Sequence, residues 1–315
     1  MLLTELLNIK YPILQGGMGF VSEAVLAAAV SNAGGAGIIA GFGRTPAEIR
    51  AEIRKARTLT DKPFGVNLML MSPDIDGLTE VLCEEKVSFA TMGAGNPIPY
   101  FERLHSAGVK CLPVTANVKQ AQKVAAAGAD AVISEGMESG GHIGVLTTMA
   151  LMTQVIPDVQ VPVIIAGGIA DGRGIAAALL MGAAGVQIGT RFLVASECQI
   201  HDNAKQRLVS AVETDTVVIG NNVKGEAMRG LACEAAASYL AHEHSGMVTP
   251  VQLKQMLHGI DYNAGFHKGD LEKGMLLCGQ SLRALKKIAP ASEIIEEMMQ
   301  EAKSVLSNAS HIIKN

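Results

Sequence analysis

Aromatic side chains are scarce in this sequence. Its 315 residues include no tryptophan, and phenylalanine, tyrosine and tryptophan together make up only 3% of the chain. Such a composition lacks the stacking platforms with which proteins hold single-stranded nucleic acid. The formal net charge of −4 also leaves no basic surface of the kind that a DNA or RNA binder needs. We therefore expect no nucleic-acid partner, and a core built from Ala, Val, Ile, Leu and the 15 methionines.

The cysteines show no pairing pattern. There are five, they lie far apart, and no two form a C-x-x-C pair, so neither a disulfide framework nor a thiolate metal site is indicated. His242 and His244 in "HEH" look like metal ligands, but residues two positions apart do not share a helix face. We predict no metal site and interpret the cysteines as reduced, buried thiols.

Targeting and membrane-spanning segments are also missing. The first residues, "MLLTELLNIKYPI", place Glu5 among leucines and show no basic start, long apolar stretch or small-residue cleavage site. No uncharged apolar run reaches the length of a membrane span. These absences lead us to expect a soluble cytoplasmic protein without a membrane partner.

Short apolar runs recur along the first two thirds of the chain. They have the length of strands, are bounded by Gly or Pro, and mostly do not alternate, which is typical of parallel strands buried on both faces. We predict eight strands, at residues 12–15, 37–40, 64–68, 87–91, 110–114, 131–134, 163–166 and 185–189. Seven helical patterns lie between them, at residues 23–32, 46–59, 77–85, 98–106, 118–126, 146–156 and 173–181.

This alternation predicts an α/β protein, a (β/α)8 TIM barrel with a C-terminal helical cap subdomain. Eight is the number of βα units that closes such a barrel, although an open doubly wound sheet uses the same units. We assign residues 1–200 to the barrel and the polar, helical text of residues 201–267 to the cap. Residues 268–315 are predicted to pack back on the barrel as two helices, an amphipathic one over 269–288 and a final one over 292–306.

Glycine-rich loops follow several predicted strands. Barrels often bind phosphate in the loops after strands seven and eight, here "AGGIADG" with Gly167 and Gly168 and "QIGTRF" with Thr190. Bare backbone and a thioether in "GGMG" at residues 16–19, with the amide of Asn67 after the third strand, suit a flat ring system. These features outline a phosphate-tailed flat cofactor, and flavin mononucleotide (FMN) has that shape.

His142 stands in the loop after the sixth predicted strand, within "ESGGHIG". Gly140 and Gly141 let the backbone and the imidazole approach a flat ligand closely. An imidazole can donate a proton or a hydrogen bond near neutral pH. It is either a surface residue or a proton-handling group over the barrel mouth, and we favour the second interpretation.

Six motifs resemble the flavin-dependent enoyl-acyl-carrier-protein reductase II family and its relatives, the nitronate monooxygenases (2-nitropropane dioxygenase-like proteins). They are "YPILQGGMG", "DKPFGVNLML", "GAGNP", "EGMESGGHIG", "PVIIAGGIADGRG" and "VQIGTRF". The resemblance runs from about residue 5 to 195 and resumes at "GDLEKGMLLCGQ". It covers the cap least, and Gly19 and Phe20 depart from the pattern common in the reductases.

The resemblance implies an FMN-binding barrel with His142 as the catalytic residue. It implies that phosphate is held by Gly167, Gly168, Gly189 and Thr190, the flavin ring by Gly17, Met18 and Asn67, with further contacts near Glu135 and Gln187. NADH or NADPH is the implied reductant, and the resemblance leaves open whether a monovalent cation is also required. The implied partner is an acyl carrier protein that carries the thioester substrate, and we expect a homodimer.

Three classes of function follow from these features. The first is NAD(P)H-driven reduction of the trans-2 double bond of an enoyl-acyl-carrier-protein thioester in fatty acid synthesis. The alternative is oxidation of alkyl nitronates with O2 by a nitronate monooxygenase, which needs no nicotinamide. The third is a barrel that binds a phosphorylated ligand without catalysis.

The basic residues of "HKGDLEKG" and "RALKKI" form a solvated helix face or dock an acidic carrier protein.

Overall fold

The computed structural model describes residues 1–309, so the last six positions of the predicted 268–315 region lie outside the described residues. Within them the strands are β1 (Ile13–Gln15), β2 (Ile38–Ala40), β3 (Gly65–Met69), β4 (Phe89–Gly93), β5 (Lys110–Thr115), β6 (Val132–Glu135), β7 (Gly141–His142), β8 (Val163–Ala166), β9 (Gly185–Ile188), β10 (Thr216–Ile219) and β11 (Met228–Leu231).

Eight of these strands form one parallel sheet, in the order β1-β9-β8-β6-β5-β4-β3-β2. The end strands also meet, because Leu14 and Ala36 form a parallel bridge just before β2. The Gln15 N–H donates to the Ala36 carbonyl across this seam at 3.0 Å. The sheet thus closes into the predicted (β/α)8 barrel, and the open doubly wound alternative is excluded.

Helices alternate with the strands as the sequence predicted, and the ends of the seven predicted inter-strand helices agree to within two residues. The helices are α1 (Leu3–Leu7), α2 (Ala24–Asn32), α3 (Pro46–Leu59), α4 (Ile75–Glu85), α5 (Ile98–Ser106), α6 (Val118–Ala126), α7 (Thr148–Asp158), α8 (Gly172–Leu180), α9 (Thr190–Leu193), α10 (Asp202–Ser210), α11 (Glu234–Ser245), α12 (Pro250–His258), α13 (Tyr262–Lys268) and α14 (Ala291–Ala309). Across residues 1–309, no helix combines the length and the apolar character needed to cross a membrane.

The outer ring of the barrel is completed by α14, which packs against α8 and α2. A Cβ atom at Gly172 would lie 2.3 Å from the Met298 carbonyl oxygen, so only glycine permits this approach of α8 to α14. The Gly172 N–H donates to the Glu301 carboxylate at 2.8 Å and ties the two helices together. The final predicted helix is therefore present and supplies the eighth helix of the ring.

The amino-terminal end of the barrel is closed by α1. Leu3 and Leu7 are buried in one cluster with residues that point into the barrel, including Leu14, Phe89 and Leu112. The Leu3 N–H donates to the Ala184 carbonyl at 2.9 Å and anchors this plug. Because apolar side chains fill this end, the ligand space lies at the carboxyl ends of the strands.

The cap contains four helices, α10–α13, but also two strands that the sequence analysis did not predict. β10 and β11 pair antiparallel, and β11 also pairs with β7. The text "TVVI" of β10 is rich in β-branched residues, which was a usable strand signal. The second pairing joins the cap to the barrel loop that carries His142, and no local pattern encodes it.

The helix predicted over residues 269–288 is wrong. This segment is mostly irregular, with turns at residues 271–273 and a short 3₁₀ helix at Leu282–Ala284. A Cβ atom at Gly279 would lie 2.5 Å from the Glu138 carbonyl oxygen, and the Leu276 carbonyl accepts from the Leu231 N–H at 2.8 Å. Met275 and Cys278 are also buried. The segment is buried on more than one side and bonded to its neighbours, and this tertiary environment overrides the helical periodicity.

Candidate active site

A cavity of about 910 Å³ opens at the carboxyl ends of the barrel strands, beneath the cap. Loops after parallel strands converge at this end of a barrel. The cavity is lined by all of the residues predicted for the site: Gly17, Met18, Asn67, Glu135, His142, Gly167, Gly168, Gln187, Gly189 and Thr190. The structure therefore brings the whole predicted set into one space.

The loop after β1 is fixed by hydrogen bonds of the buried Gln15 side chain. The buried Gln15 amide donates to Ser22 Oγ at 2.8 Å and accepts from the Ile38 N–H at 3.1 Å. Ser22 Oγ in turn accepts from the Met18 N–H at 2.9 Å. These bonds fix the backbone of the loop, so that Met18 borders the cavity in a set position.

Gly17 and Asn67 lie directly against each other at the floor of the cavity. A Cβ atom at Gly17 would come within 2.4 Å of Asn67 Cβ, so glycine is required for this contact. The Asn67 amide donates to Thr91 Oγ1 on the next strand at 3.0 Å, which orients it. A preoriented amide beside bare backbone is suited to the polar edge of a flat ring.

The loop after β8 carries two consecutive glycines in left-handed backbone conformations. Gly167 has φ +89° and Gly168 has φ +74°, values that favour glycine strongly. Thr148 Oγ1 donates to the Gly167 carbonyl at 3.0 Å and fixes the loop against the start of α7. The loop thus presents backbone without side chains to the cavity, as an anion site requires.

Thr190 follows β9 and lines the cavity beside Gly189. Its hydroxyl oxygen accepts from the Gly279 N–H at 2.8 Å, and its own proton stays available for a ligand. A Cβ atom at Gly189 would have only Met18 within 4 Å, so the space around Gly189 is otherwise open. Both loops therefore leave room and donors at one end of the cavity.

Glu135 ends β6 at the cavity wall and has no cationic side chain paired with it among the described residues. Burial raises the pKa of its carboxyl to about 7, and the nearby Ser139 hydroxyl opposes the shift. The carboxyl is therefore partly protonated at neutral pH. It can then donate a hydrogen bond as well as accept one. Gln187, on β9, supplies a second polar side chain to the wall.

His142 lies on β7, directly opposite Met228 of the cap strand β11. Its side chain is 36% exposed, and Nε2 lies 3.7 Å from a carboxylate oxygen of Glu226. Burial lowers the pKa of His142, whereas Glu226 acts to raise it. The imidazole thus borders the cavity while one of its nitrogens faces an acidic group of the cap.

Comparison with known proteins identifies the family. The profile of the nitronate monooxygenase family matches residues 1–77 and 74–301 of this chain. The chain belongs to the nitronate monooxygenase family. Its relatives are oxidoreductases by name, and the chain is accordingly an oxidoreductase.

Over nearly its full length, this family member is similar to proteins that are named for different activities. FabK from Thermotoga maritima is 45% identical, with a TM-score of 0.94 over 99% of this chain and 98% of that structure. A nitroalkane oxidase from Streptomyces ansochromogenes is 29% identical, with a TM-score of 0.83 over 96% and 99%. The (3aS,4S,5R,7aS)-5-hydroxy-7a-methyl-1-oxo-octahydro-1H-indene-4-carboxyl-CoA dehydrogenase of Mycobacterium tuberculosis is 35% identical over 99% of this chain and 98% of the relative.

The cap residues of this family member that border the cavity were not predicted from its sequence. Glu226, Lys254 and His258 all line it. Phe20, noted only as a departure from the reductase pattern, stacks on Tyr262 of the cap with ring centroids 5.6 Å apart. His267 Nε2 also lies 2.6 Å from the Phe20 carbonyl oxygen. Phe20 directly follows the "GGMG" loop, which was a usable signal, whereas the cap residues stand in none of the six motifs and had no local signal.

One group of metal-ligating residue types occurs among residues 1–309, and it lies at the opposite end of the barrel. Its members are His105, Cys111 and Asp130. One Asp130 oxygen already accepts from the Cys111 N–H at 2.7 Å and lies 2.8 Å from His105 Nε2. Burial raises the pKa of the Cys111 thiol to about 12, which disfavours the thiolate that a metal would need. We interpret this group as a structural hydrogen-bond cluster.

Proposed function

We propose that this protein reduces the trans-2 double bond of an enoyl thioester carried by acyl carrier protein, with FMN as cofactor and NADH or NADPH as reductant. The observation that carries the proposal is the position of His142, on the same cavity as the glycine loops of β8 and β9. A group that can donate a proton and a cradle for a flat, phosphate-tailed cofactor therefore share one site. The 45% identity to FabK, an enoyl-acyl-carrier-protein reductase II, supports the same reaction.

The residues of the cavity fit FMN. Gly167, Gly168, Gly189 and Thr190 would hold the phosphate through backbone N–H groups and a hydroxyl. Gly17, Met18 and Asn67 would contact the ring, with Glu135 and Gln187 as polar neighbours. The fit rests on the open space around Gly189 and on two glycines whose φ angles favour glycine over other residues.

Bound FMN would supply hydride transfer between the nicotinamide and the β-carbon of the enoyl thioester. The protein's own part is to hold the thioester and to provide the proton that completes the reduction. His142 would donate this proton to the α-carbon, or a hydrogen bond to the thioester carbonyl. Addition of the hydride to the β-carbon and of the proton to the α-carbon gives the saturated thioester.

The second candidate function is oxidation of alkyl nitronates with O2. It is favoured by the family profile, by the nitroalkane oxidase structure and by a probable nitronate monooxygenase of Staphylococcus haemolyticus that is 29% identical over 97% of this chain. In this reaction His142 would act on the nitro compound. We place it second because its relatives are less similar to this chain than FabK is.

The test begins with the cofactor and ends with turnover. Denaturing the pure protein should release one flavin per chain that keeps a single phosphate. Under nitrogen, oxidation of NAD(P)H should then stop after one equivalent per flavin and continue only when a trans-2-enoyl thioester is added. The same preparation in air, with an alkyl nitronate and no nicotinamide, is the matched comparison.

The outcomes separate the candidates. Release of FAD, or a colourless protein that cannot be reconstituted with FMN, would remove the basis of the site assignment. Turnover of nitronate without enoyl-dependent NAD(P)H oxidation would establish the second function instead. The choice between NADH and NADPH, a monovalent-cation requirement and the homodimer stay predictions that the same preparation can test.

A further inference from the structure

Glu226 is a cap residue that lies between His142 and two basic side chains. It is buried, and it precedes β11 by two residues. One carboxylate oxygen lies 2.7 Å from Lys254 Nζ. The other lies 3.3 Å from His258 Nε2 and 3.7 Å from His142 Nε2. Lys254 and His258 both belong to α12, so a single carboxylate links this helix to the imidazole of His142.

Strand register puts Glu226 beside His142. Met228 is the direct partner of His142, and the Ile143 N–H continues the ladder to the Ala227 carbonyl at 2.9 Å. In an antiparallel pair, the residue two positions from the direct partner lies on the same face and within reach of a long side chain. Glu226 is that diagonal neighbour, so the pairing of β7 with β11 sets its distance from the imidazole.

We propose that Glu226 is a positioning residue for His142, which accepts a hydrogen bond from Nε2 and leaves Nδ1 as the ring nitrogen that faces the substrate. This inference rests on the proposed function for the role of His142 as a donor. Nε2 is buried and has no hydrogen-bond partner within residues 1–309, and it points towards the Glu226 carboxylate. The 3.7 Å separation exceeds a hydrogen bond. Such contacts in ligand-free sites often tighten when the ligand binds.

The charges around the pair support this arrangement. Burial opposes ionisation of Glu226, but Lys254 and His258 together keep the pKa of its carboxyl below the ordinary value. Burial lowers the pKa of His142, and the Glu226 carboxylate partly offsets that effect, while His258 adds to it. The Glu226 carboxylate therefore stabilises the protonated form of His142, which is the form that can donate a proton. Lys254 in turn stabilises the ionised form of Glu226.

The experiment measures His142 directly, without reference to turnover. Histidine side chains of the protein as purified are labelled with ¹³C and ¹⁵N and titrated by NMR, and His142 is assigned by comparison with His142→Gln. In Glu226→Gln the pKa of His142 should fall by about one unit, a roughly tenfold loss of proton affinity. Glu226→Asp keeps the negative charge, so the pKa of His142 should stay close to its parental value. Glu243→Gln removes another buried carboxylate of the cap and should leave His142 unchanged.

Turnover supplies the second measurement. A proton donor loses activity as pH rises through its pKa, so in Glu226→Gln the alkaline fall of kcat should move to lower pH. The rate of the enoyl-reducing step at neutral pH should drop roughly tenfold, as the pKa change implies. Flavin reduction by NAD(P)H should be unaffected. A role in cap folding alone would instead lower stability without moving the pH profile.

Two results would contradict different statements. An unchanged His142 titration in both Glu226→Gln and Glu226→Asp would overturn the positioning role. A shifted titration with parental turnover at every pH would leave the coupling in place and overturn the proposed role of His142. If Glu226→Gln does not fold, Glu226→Asp alone is the test. The aspartate side chain is one methylene shorter, so its carboxylate lies farther from His142. The pKa of His142 should then fall by a smaller amount.

Discussion

At the scale of single residues, His142 owes its position to backbone rather than to side-chain packing. Gly141, with φ +76°, turns the chain into β7, and a Cβ atom there would meet nothing within 4 Å. A Cβ atom at Gly140 would lie 2.6 Å from the Cys278 backbone, so glycine lets the loop press against the 275–279 segment. The two glycines therefore serve different purposes, a turn and a close contact.

Replacing His142→Ala should slow the enoyl-reducing half-reaction by about 10²-fold or more, the usual scale for losing a general acid. FMN content should not change, and flavin reduction by NAD(P)H should suffer less. Stopped-flow measurement of each half-reaction separates the two effects. His242→Ala, on the exposed side of α11, is the control and should behave like the parent. Parental turnover of enoyl thioester by His142→Ala would make His142 a bystander.

At the scale of elements, the cap divides into two parts with different neighbours. β11 pairs with β7 and so reaches His142, and β10 pairs with the other edge of β11. α12 and the following loop line the cavity through Leu257 and Ile260. Exchange of the whole cap would disturb both parts at once, so changes in acyl-substrate access are better tested within α12 and its loop.

Ile260→Trp should narrow the cavity without touching the predicted cofactor loops. We expect KM for a long-chain enoyl thioester to rise about tenfold, the scale on which a binding pocket discriminates by a methylene or more. A short-chain substrate should be affected much less, and FMN should stay bound. Val251→Trp places the same side chain on α12 at a position that is 69% exposed, and serves as the control. Loss of FMN from folded Ile260→Trp would show that the cap also governs cofactor binding.

At the scale of the whole molecule, the barrel is sealed at one end by α1 and open at the other. Leu3 is fully buried in the plug, whereas Glu135 faces the open end with its carboxyl pKa raised to about 7. The folded protein thus holds a proton that the unfolded chain releases near the ordinary carboxyl pKa. We therefore expect Glu135 to contribute to the pH dependence of stability.

The free energy of unfolding of the cofactor-free protein should fall as pH rises from about 4.5 to about 7 because of Glu135. Between these values the unfolded state binds fewer protons than the folded state, which gives a negative slope, and above them the contribution is constant. The difference amounts to about 3 kcal/mol at most. Urea unfolding at several pH values measures it. Glu135→Gln should flatten this part of the profile, whereas Glu80→Gln, at an exposed position, should not. Parallel profiles for the parent and Glu135→Gln would contradict the raised pKa.

The sequence by itself determined the alternation of strands and helices and the residues of the predicted cofactor loops, whereas closure of the sheet was seen only in the bridge between Leu14 and Ala36. Strands such as Val163–Ala166 and helices such as Pro46–Leu59 were predicted with the bounds that the structure has. Continuous apolar runs, the 3.6-residue period and glycine at turns are local properties that each segment carries alone. The convergence of Gly17, Asn67 and Gly167 then follows, because a parallel barrel gathers the loops at one end.

Only the tertiary structure decided how the cap meets this site. The irregular course of residues 275–279 depends on contacts with Glu138 and Leu231, which lie far away in the chain. The place of Glu226 beside His142 depends on the register of β7 against β11. A two-residue strand has no period to recognise, and a shift of one position would turn Glu226 to the opposite face. Pairing between distant segments is fixed by packing in the folded molecule, so no local pattern in the sequence records it.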